Sequence, residues 1–286
     1  MIPCYFVSDL HGIVDRYLRL FNEIQNRPPA AVFLGGDILP QARAFVNDNS
    51  TGPNFLEDFL FPRLFRLRAC LLESYPRIFM ILGNDDGLTE EDRILDGERQ
   101  GLWTYANNAM AKFAGFDIYG YCFIPPSPFM LKDWERYDVS RHISPGAISP
   151  EEGYRSAPVP EYEARYTTIQ GDLEELTEDA DLYRAVFLFH APPHETRLDR
   201  ADTDGKLAEY VPLDTNVGSI AIRRLIEARQ PHLTLHGHIH ESPRLTGSWM
   251  DNIGRTVCIS AAHDGPELAL VRFDLENPSE AMRELL

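Results

Sequence analysis

Short apolar runs that stop at polar, glycine-bearing turns set the rhythm of the first third of this chain. Residues 2–7 form such a run and break at Ser8-Asp9-Leu10-His11-Gly12; Val14, Tyr17, Leu18 and Phe21 then follow at helical spacing. That pattern predicts strand, loop, helix, with Asp9 and His11 at the strand's carboxyl end. Residues 31–34 predict a second strand running into Gly35-Gly36-Asp37. Residues 55–72 mix Leu and Phe with Arg as an amphipathic helix does, with Pro62 near its start or a break. Residues 77–82 predict a third strand, ending in Gly83-Asn84-Asp85-Asp86-Gly87. Repeated strand-to-helix crossovers predict an α/β sheet. In such sheets ligands gather outside the carboxyl ends of the strands, so Asp9, His11, Asp37 and Asn84 would share one rim.

The middle is less regular. Residues 116–124 predict a strand, and 125–160 is rich in Pro, Ser, Tyr and charge. Without apolar periodicity for a core of its own, this stretch reads as a long excursion at about 125–165 within a single 1–286 domain. Such a loop can be a lid, a packed excursion or a disordered one. Residues 171–180 predict a short acidic helix, and 185–189 a strand ending in His190-Ala191-Pro192-Pro193-His194. A polar loop at 199–210 and a helix at 217–228 lead to the apolar run Leu233-Thr234-Leu235 and then His236-Gly237-His238-Ile239-His240. Strands at about 244–249, 255–260 and 268–273 and a short terminal helix complete the expectation. Their short links predict antiparallel pairing in a mixed second sheet.

Composition narrows the partners. Against 44 Asp and Glu stand 27 Lys and Arg, a net charge of −17. That field opposes non-specific wrapping around nucleic acid or an anionic membrane. It leaves room for a small phosphorylated substrate, because bound dications reverse the sign locally. Cys4, Cys70, Cys122 and Cys258 are widely spaced, with no zinc ribbon or disulfide framework in their pattern. The start shows neither a basic n-region nor a long apolar h-region, and no apolar run is of membrane-spanning length. A cytoplasmic location is expected; oligomeric state has no signature.

Gathered from the strand ends, the polar residues are Asp9, His11, Asp37, Asn84, His190, His238 and His240. Each has an ordinary reading alone: His190 as a core histidine, Asn84 as a turn residue, Asp37 as a helix cap. Together they offer the nitrogen and oxygen ligands that two adjacent first-row dications need, with a carboxylate to bridge them.

The motifs Asp9-x-His11, Gly36-Asp37, Gly83-Asn84, the His190 strand end and Gly237-His238-x-His240 resemble those of the calcineurin-like metallophosphoesterases. The resemblance runs from residue 8 to residue 240 and implies an α/β/β/α sandwich of four layers, two mixed sheets flanked by helices. It implies one metal on Asp9, His11 and His240, Asp37 as the bridge, and Asn84, His190 and His238 on a second metal. Manganese, iron, zinc and magnesium all suit ligands without thiolate. The implied reaction is hydrolysis of a phosphoric ester: both metals acidify a shared water, and the resulting hydroxide attacks phosphorus in line.

One position departs from the pattern. Many family members carry His after the Gly-Asn pair, where it can protonate the leaving alkoxide; here Asp85 stands there, followed by Asp86. Asp85 is a candidate substitute acid or a hydrogen-bond partner behind the metals. The acid role needs a raised pKa, which nearby cations oppose, so the partner role is favoured. The departure directs the expectation to phosphodiesters. The alternatives are a phosphomonoesterase on a protein or small metabolite, and a scaffold keeping the fold without catalysis. Asn84, His194 and Arg197 are candidate substrate contacts, the last two each with a plain loop position as its alternative. His236 should point away from the metals by strand alternation, and His142, His232 and His263 are read as structural.

Overall fold

A computed structural model of the chain describes residues 1–41 and 54–286. In chain order the first elements are β1 (Pro3–Val7), α1 (Val14–Asn26), β2 (Ala31–Gly35), α2 (Phe61–Leu71), β3 (Arg77–Ile81) and α3 (Glu91–Arg99). Then come β4 (Thr104–Tyr105), β5 (Ala109–Phe113), β6 (Phe116–Tyr121), α4 (Glu161–Tyr166), α5 (Ile169–Thr177) and β7 (Ala185–Phe189). A small hairpin, β8 (Leu207–Ala208) with β9 (Val211–Pro212), precedes α6 (Ile220–Arg229), β10 (Leu233–His236) and α7 (Ser242–Thr246). The chain finishes with β11 (Met250–Ile253), β12 (Thr256–Ser260), β13 (Ala269–Asp274) and β14 (Asn277–Leu285).

Apart from the β8–β9 hairpin, the strands form two six-stranded sheets, in the orders β14-β13-β1-β2-β3-β4 and β11-β12-β10-β7-β6-β5. Within the first, β1 to β4 run parallel and β13 returns antiparallel to β1. Within the second, β6, β7, β10 and β12 are parallel, with antiparallel edges at β5 and β11. The sheets face each other: Phe33 and Phe79 of the first share a core with Val186, Leu188, Leu235 and Ile259 of the second. Alternate residues of β7, Ala185, Phe187 and Phe189, enter a second core with Ile169 and Leu173 of α5 and Ile222 and Ile226 of α6. A strand covered on both faces must be apolar throughout, which is why β7 reads as an unbroken run. Tyr17, Leu20 and Ile24 of α1, with Leu64 and Leu67 of α2, join the first core, giving helices, sheet, sheet, helices.

Two expectations at the carboxyl end fail. Residues 244–249 are not a strand: Pro243 opens α7, Gly247 at φ 72° closes it, and the strand begins only at Met250. Proline in the first helical turn and a left-handed residue just after the last are the ordinary punctuation of a short helix. The terminal segment is a nine-residue edge strand, not a helix. Its few residues are too short to nucleate a helix alone, and β13 offers a full hydrogen-bonding ladder. The late strands also divide: β11 and β12 stay in the second sheet, whereas β13 and β14 return to the first. Helix α3 and strands β4 and β5 carry no pattern strong enough to have been expected.

The 125–165 excursion packs down on the body. Leu131, Trp134 and Tyr137 are buried, and the Trp134 indole N–H donates to the Asp86 carbonyl at 2.9 Å. Asp138 accepts from Ser219 Oγ at 2.6 Å and from the Ile220 and Ala221 N–H groups, capping α6 from outside. At its centre Lys132 and Glu135 form a fully buried ion pair at 2.6 Å. Among the described residues no helix is long and apolar enough to cross a membrane.

Candidate metal centre

Because β1, β2 and β3 are parallel, their carboxyl ends emerge on one edge, and β7 and β10 end beside them from the second sheet. The loops there are held by one another. Asp9 N–H donates to Gly36 O at 3.0 Å, His11 N–H to Asp37 O at 2.7 Å, and Gly237 N–H to His190 O at 3.0 Å. The His238 N–H reaches across the two sheets to Asp9 Oδ1 at 3.1 Å.

Four of the residues have left-handed backbones: Asp9 (φ 56°), His11 (φ 48°), Asp37 (φ 49°) and His238 (φ 72°). Each such non-glycine residue costs roughly 1–3 kcal/mol, a strain that persists only where surrounding contacts enforce it. The turn after β10 is thus made by His238. Gly237 has another duty: a Cβ there would lie 2.8 Å from Asp9 Oδ2, so its bareness lets the sheets approach. Gly36 (φ +89°) combines both reasons, with a Cβ falling 2.6 Å from His190 Nδ1.

The side chains converge. His240 Nε2 lies 3.2 Å from Asp9 Oδ1 and 3.2 Å from His11 Nε2, and His11 Nε2 lies 3.9 Å from Asp37 Oδ2. One ligand atom from each of Asp9, His11, Asp37 and His240 falls within 4.8 Å of all the others. On the other side of Asp37, its Oδ2 is 3.4 Å from His190 Nε2, which is 3.0 Å from Asn84 Oδ1. The His190 and His238 ring centroids are 5.2 Å apart. The donor set fits cations well. Two imidazole Nε2 atoms facing each other need a proton or a metal between them, and His190 donates its Nδ1–H to Gly35 O at 2.8 Å, freeing Nε2 as a lone-pair donor. Asp37 lies between both groups.

The family model described as calcineurin-like phosphoesterase matches residues 2–242. The chain belongs to this family. A solved chain aligns over 99% of this one and 98% of its own length at a TM-score of 0.60 and 16% identity. TT1561 of Thermus thermophilus aligns over 99% and 98% at a TM-score of 0.55 and 15% identity. A dimetal phosphatase from Danio rerio aligns over 95% and 91% at a TM-score of 0.51 and 12% identity. At such identities the likeness concerns the fold alone. Among curated proteins none matches the chain.

In this calcineurin-like centre the charges are mutually supporting. Burial opposes ionisation of the Asp9 carboxyl, but the imidazoles of His240, His190 and His11 outweigh it and hold it well below the usual range. Burial and the imidazoles of His190 and His11 compete likewise at Asp37, with the imidazoles prevailing. In return, against the effect of burial, Asp37 raises His190 to about 9 and Asp9 raises His240 to about 9. Burial and the neighbouring His190 lower His238 to about 3. Without cations, protons on two imidazoles balance the two carboxylates; bound metals would take the place of those protons.

The remaining expected residues are placed as follows. Asp85 is buried, with Oδ2 accepting from Gln41 Nε2 at 2.9 Å and lying 3.7 Å from His11 Nδ1. His194 Nδ1 lies 3.7 Å from the buried Asp199 carboxylate, and its N–H donates to Ser219 O, tying it to the start of α6. Arg197 is exposed, and its backbone bonds to Asp251 and Ser242. His236 points away from the cluster, its ring bonded to Ala191 O and Thr234 Oγ1. His190, just past the end of β7, is fully buried.

Two supporting residues escaped the sequence reading. Asp86 accepts N–H bonds from Leu39 (2.7 Å), Gly83 (2.8 Å) and Ile38 (3.2 Å), binding the Asp37 loop to the Asn84 turn. Arg16 of α1 is buried and donates through Nη1 to Asp9 O and through Nη2 to Gly265 O, each at 2.6 Å. The only sequence signal for Arg16 was a charged residue inside the buried stripe of α1; Asp86 had none beyond its place in the turn.

Proposed function

We propose that this chain is a dinuclear metal-dependent phosphoesterase that prefers phosphodiesters, or esters with good leaving groups, among small phosphorylated substrates. The observation that carries the reading is Asp37, whose Oδ2 faces His11 Nε2 at 3.9 Å and His190 Nε2 at 3.4 Å. Asp9, His11 and His240 would hold one divalent ion, Asn84, His190 and His238 the second, with Asp37 shared. The chemistry such ions supply when bound is activation of a water nucleophile and neutralisation of charge on the phosphoryl oxygens.

The chain's own residues prepare that site. Gly35 O fixes the His190 tautomer, and the Asp85 N–H fixes Asp37 Oδ1 at 2.8 Å, leaving Oδ2 turned inward. Ser8 Oγ donates to Asp9 Oδ2 at 2.5 Å, leaving Oδ1 toward His240. With an aspartate at position 85, no imidazole follows Asn84 to protonate an alkoxide. Leaving groups that depart as stable anions would then be favoured over alkoxides of monoesters.

The test is turnover of an aryl phosphodiester against an alkyl phosphate monoester, with metal content measured on the same manganese-loaded protein. Diester turnover should be faster, and Asp37→Asn should abolish it while the metal-stripped variant still unfolds in one cooperative transition. Faster monoester turnover would refute the preference. Protein that takes up no metal and hydrolyses neither substrate would refute the enzyme.

A further inference from the structure

We propose that Asp85 is a positioning residue that orients His11 and Asn84 as ligands, and not a proton donor to the leaving group. The inference rests on the metal-centre reading above. The Asp85 carboxylate is 3.3 Å from Asn84 Nδ2 through Oδ1, 2.9 Å from Gln41 Nε2 through Oδ2, and 3.7 Å from His11 Nδ1 through Oδ2. Its own N–H donates to Asp37 Oδ1 at 2.8 Å. One residue therefore adjoins three of the residues assigned to the metals, on both sides of Asp37.

Asn84 Nδ2 and Gln41 Nε2 are amide donors to this carboxylate, and His11 Nδ1 beside it is a ring nitrogen able to be one. Oxygens already turned toward N–H groups act as acceptors, and an acid would need one of them free to carry and deliver a proton. His11 shows what the acceptor is for. Its Nε2 is the inward atom, 3.2 Å from His240 Nε2, so the ligating tautomer carries its proton on Nδ1. That Nδ1 is buried and finds no hydrogen-bond partner among the described residues. Ligating histidines almost always give the outer N–H to a carboxylate, carbonyl or water, and Asp85 Oδ2 needs to close by only about half an ångström to enter hydrogen-bond range.

Asn84 has the complementary need. With its Nδ2 held by Asp85, its Oδ1 faces His190 Nε2 at 3.0 Å; the opposite amide orientation would turn a donor into the metal pocket. A neutral imidazole has one acceptor nitrogen and could not serve Asn84, His11 and Gln41 together, whereas a carboxylate can.

The experiment is a calorimetric Mn²⁺ titration of metal-stripped wild type, Asp85→Ala, Asp85→Asn and Asp85→His, with unfolding midpoints from the same preparations. Asp85→Ala should bind Mn²⁺ about 10–100-fold more weakly at one or both sites, with Asp85→Asn in between and no rescue by Asp85→His. Across a series of aryl phosphodiesters, the dependence of kcat/KM on leaving-group pKa should be the same in wild type and Asp85→Asn. Should Asp85→Ala fail to fold, the near-isosteric Asp85→Asn carries the comparison. Unchanged Mn²⁺ affinity in the variants, with rate lost selectively for the poorest leaving groups, would overturn the proposal and restore the acid role. Wild type that binds no Mn²⁺ would instead remove the metal-centre reading, and this inference with it.

Discussion

Asp86 offers the sharpest test of how the site is held in shape, because it is fully buried and is not among the residues assigned to the metals. Its Oδ1 accepts from Leu39 N–H at 2.7 Å, and its Oδ2 from Gly83 N–H at 2.8 Å and Ile38 N–H at 3.2 Å. Asp86→Ala would leave three backbone donors without partners. Burial and the nearby Asp37 charge push the Asp86 carboxyl well above its usual range against these three bonds, so each orphaned donor is counted at the ordinary cost of about 1–3 kcal/mol; water entering the vacated space recovers part of that sum, and a loss of about 2–4 kcal/mol is expected. Asp86→Asn keeps the shape. With its oxygen in the Oδ2 position it retains the Gly83 and Ile38 bonds but points an NH2 at the Leu39 N–H, so about 1–3 kcal/mol should be lost. Urea unfolding followed by circular dichroism measures both changes. The order should be wild type, Asn, Ala, with Mn²⁺ affinity falling in the same order as the Asp37 loop loosens from the Asn84 turn. A loss below about 1 kcal/mol for Asp86→Ala, or a larger loss for Asn than for Ala, would refute the reasoning.

Two further outcomes follow from buried charge. In chelator, stability should fall between about pH 6.5 and 9.5: His190 and His240, raised to about 9, contribute fully below 6.5 and lose that contribution as pH rises through 9. His236 and His238, lowered to about 4 and about 3, contribute above 6.5 and lose it as pH falls through those values; a flat melting profile between pH 4 and 9.5 would contradict this. In the excursion, Lys132→Met leaves Glu135 buried without its 2.6 Å partner, and burial already pushes that carboxyl up to about 7. The loss should be about 3–5 kcal/mol, and Lys132→Met with Glu135→Leu should recover much of it. Thermal unfolding that finds the double variant no more stable than the single one would refute a buried-pair account.

Much of the frame is legible in residue order. β1, β2, β3, β7 and β10 are apolar runs cut off by glycine-bearing turns, and a strand buried on both faces permits little else. The same order brings Asp9, His11, Asp37, Asn84, His190, His238 and His240 to one edge, because parallel strands share a carboxyl end. Elements whose identity depends on a neighbour were not legible. The terminal segment has helix-forming residues yet becomes β14 because β13 lies beside it, and residues 244–249 lose a strand to the punctuation of Pro243 and Gly247. The excursion read equally as lid or packed loop until Trp134, Asp138 and the Lys132–Glu135 pair were seen against the body. At the site, the kinds of side chain belong to the sequence; their aim does not. The left-handed turns at Asp9, His11, Asp37 and His238, the Asp86 tie to Leu39 and the acceptor role of Asp85 all arise from contacts between residues far apart in the chain. Local patterning decides which groups are carried to the edge of the sheets, and long-range hydrogen bonding decides which atom of each group faces its neighbour.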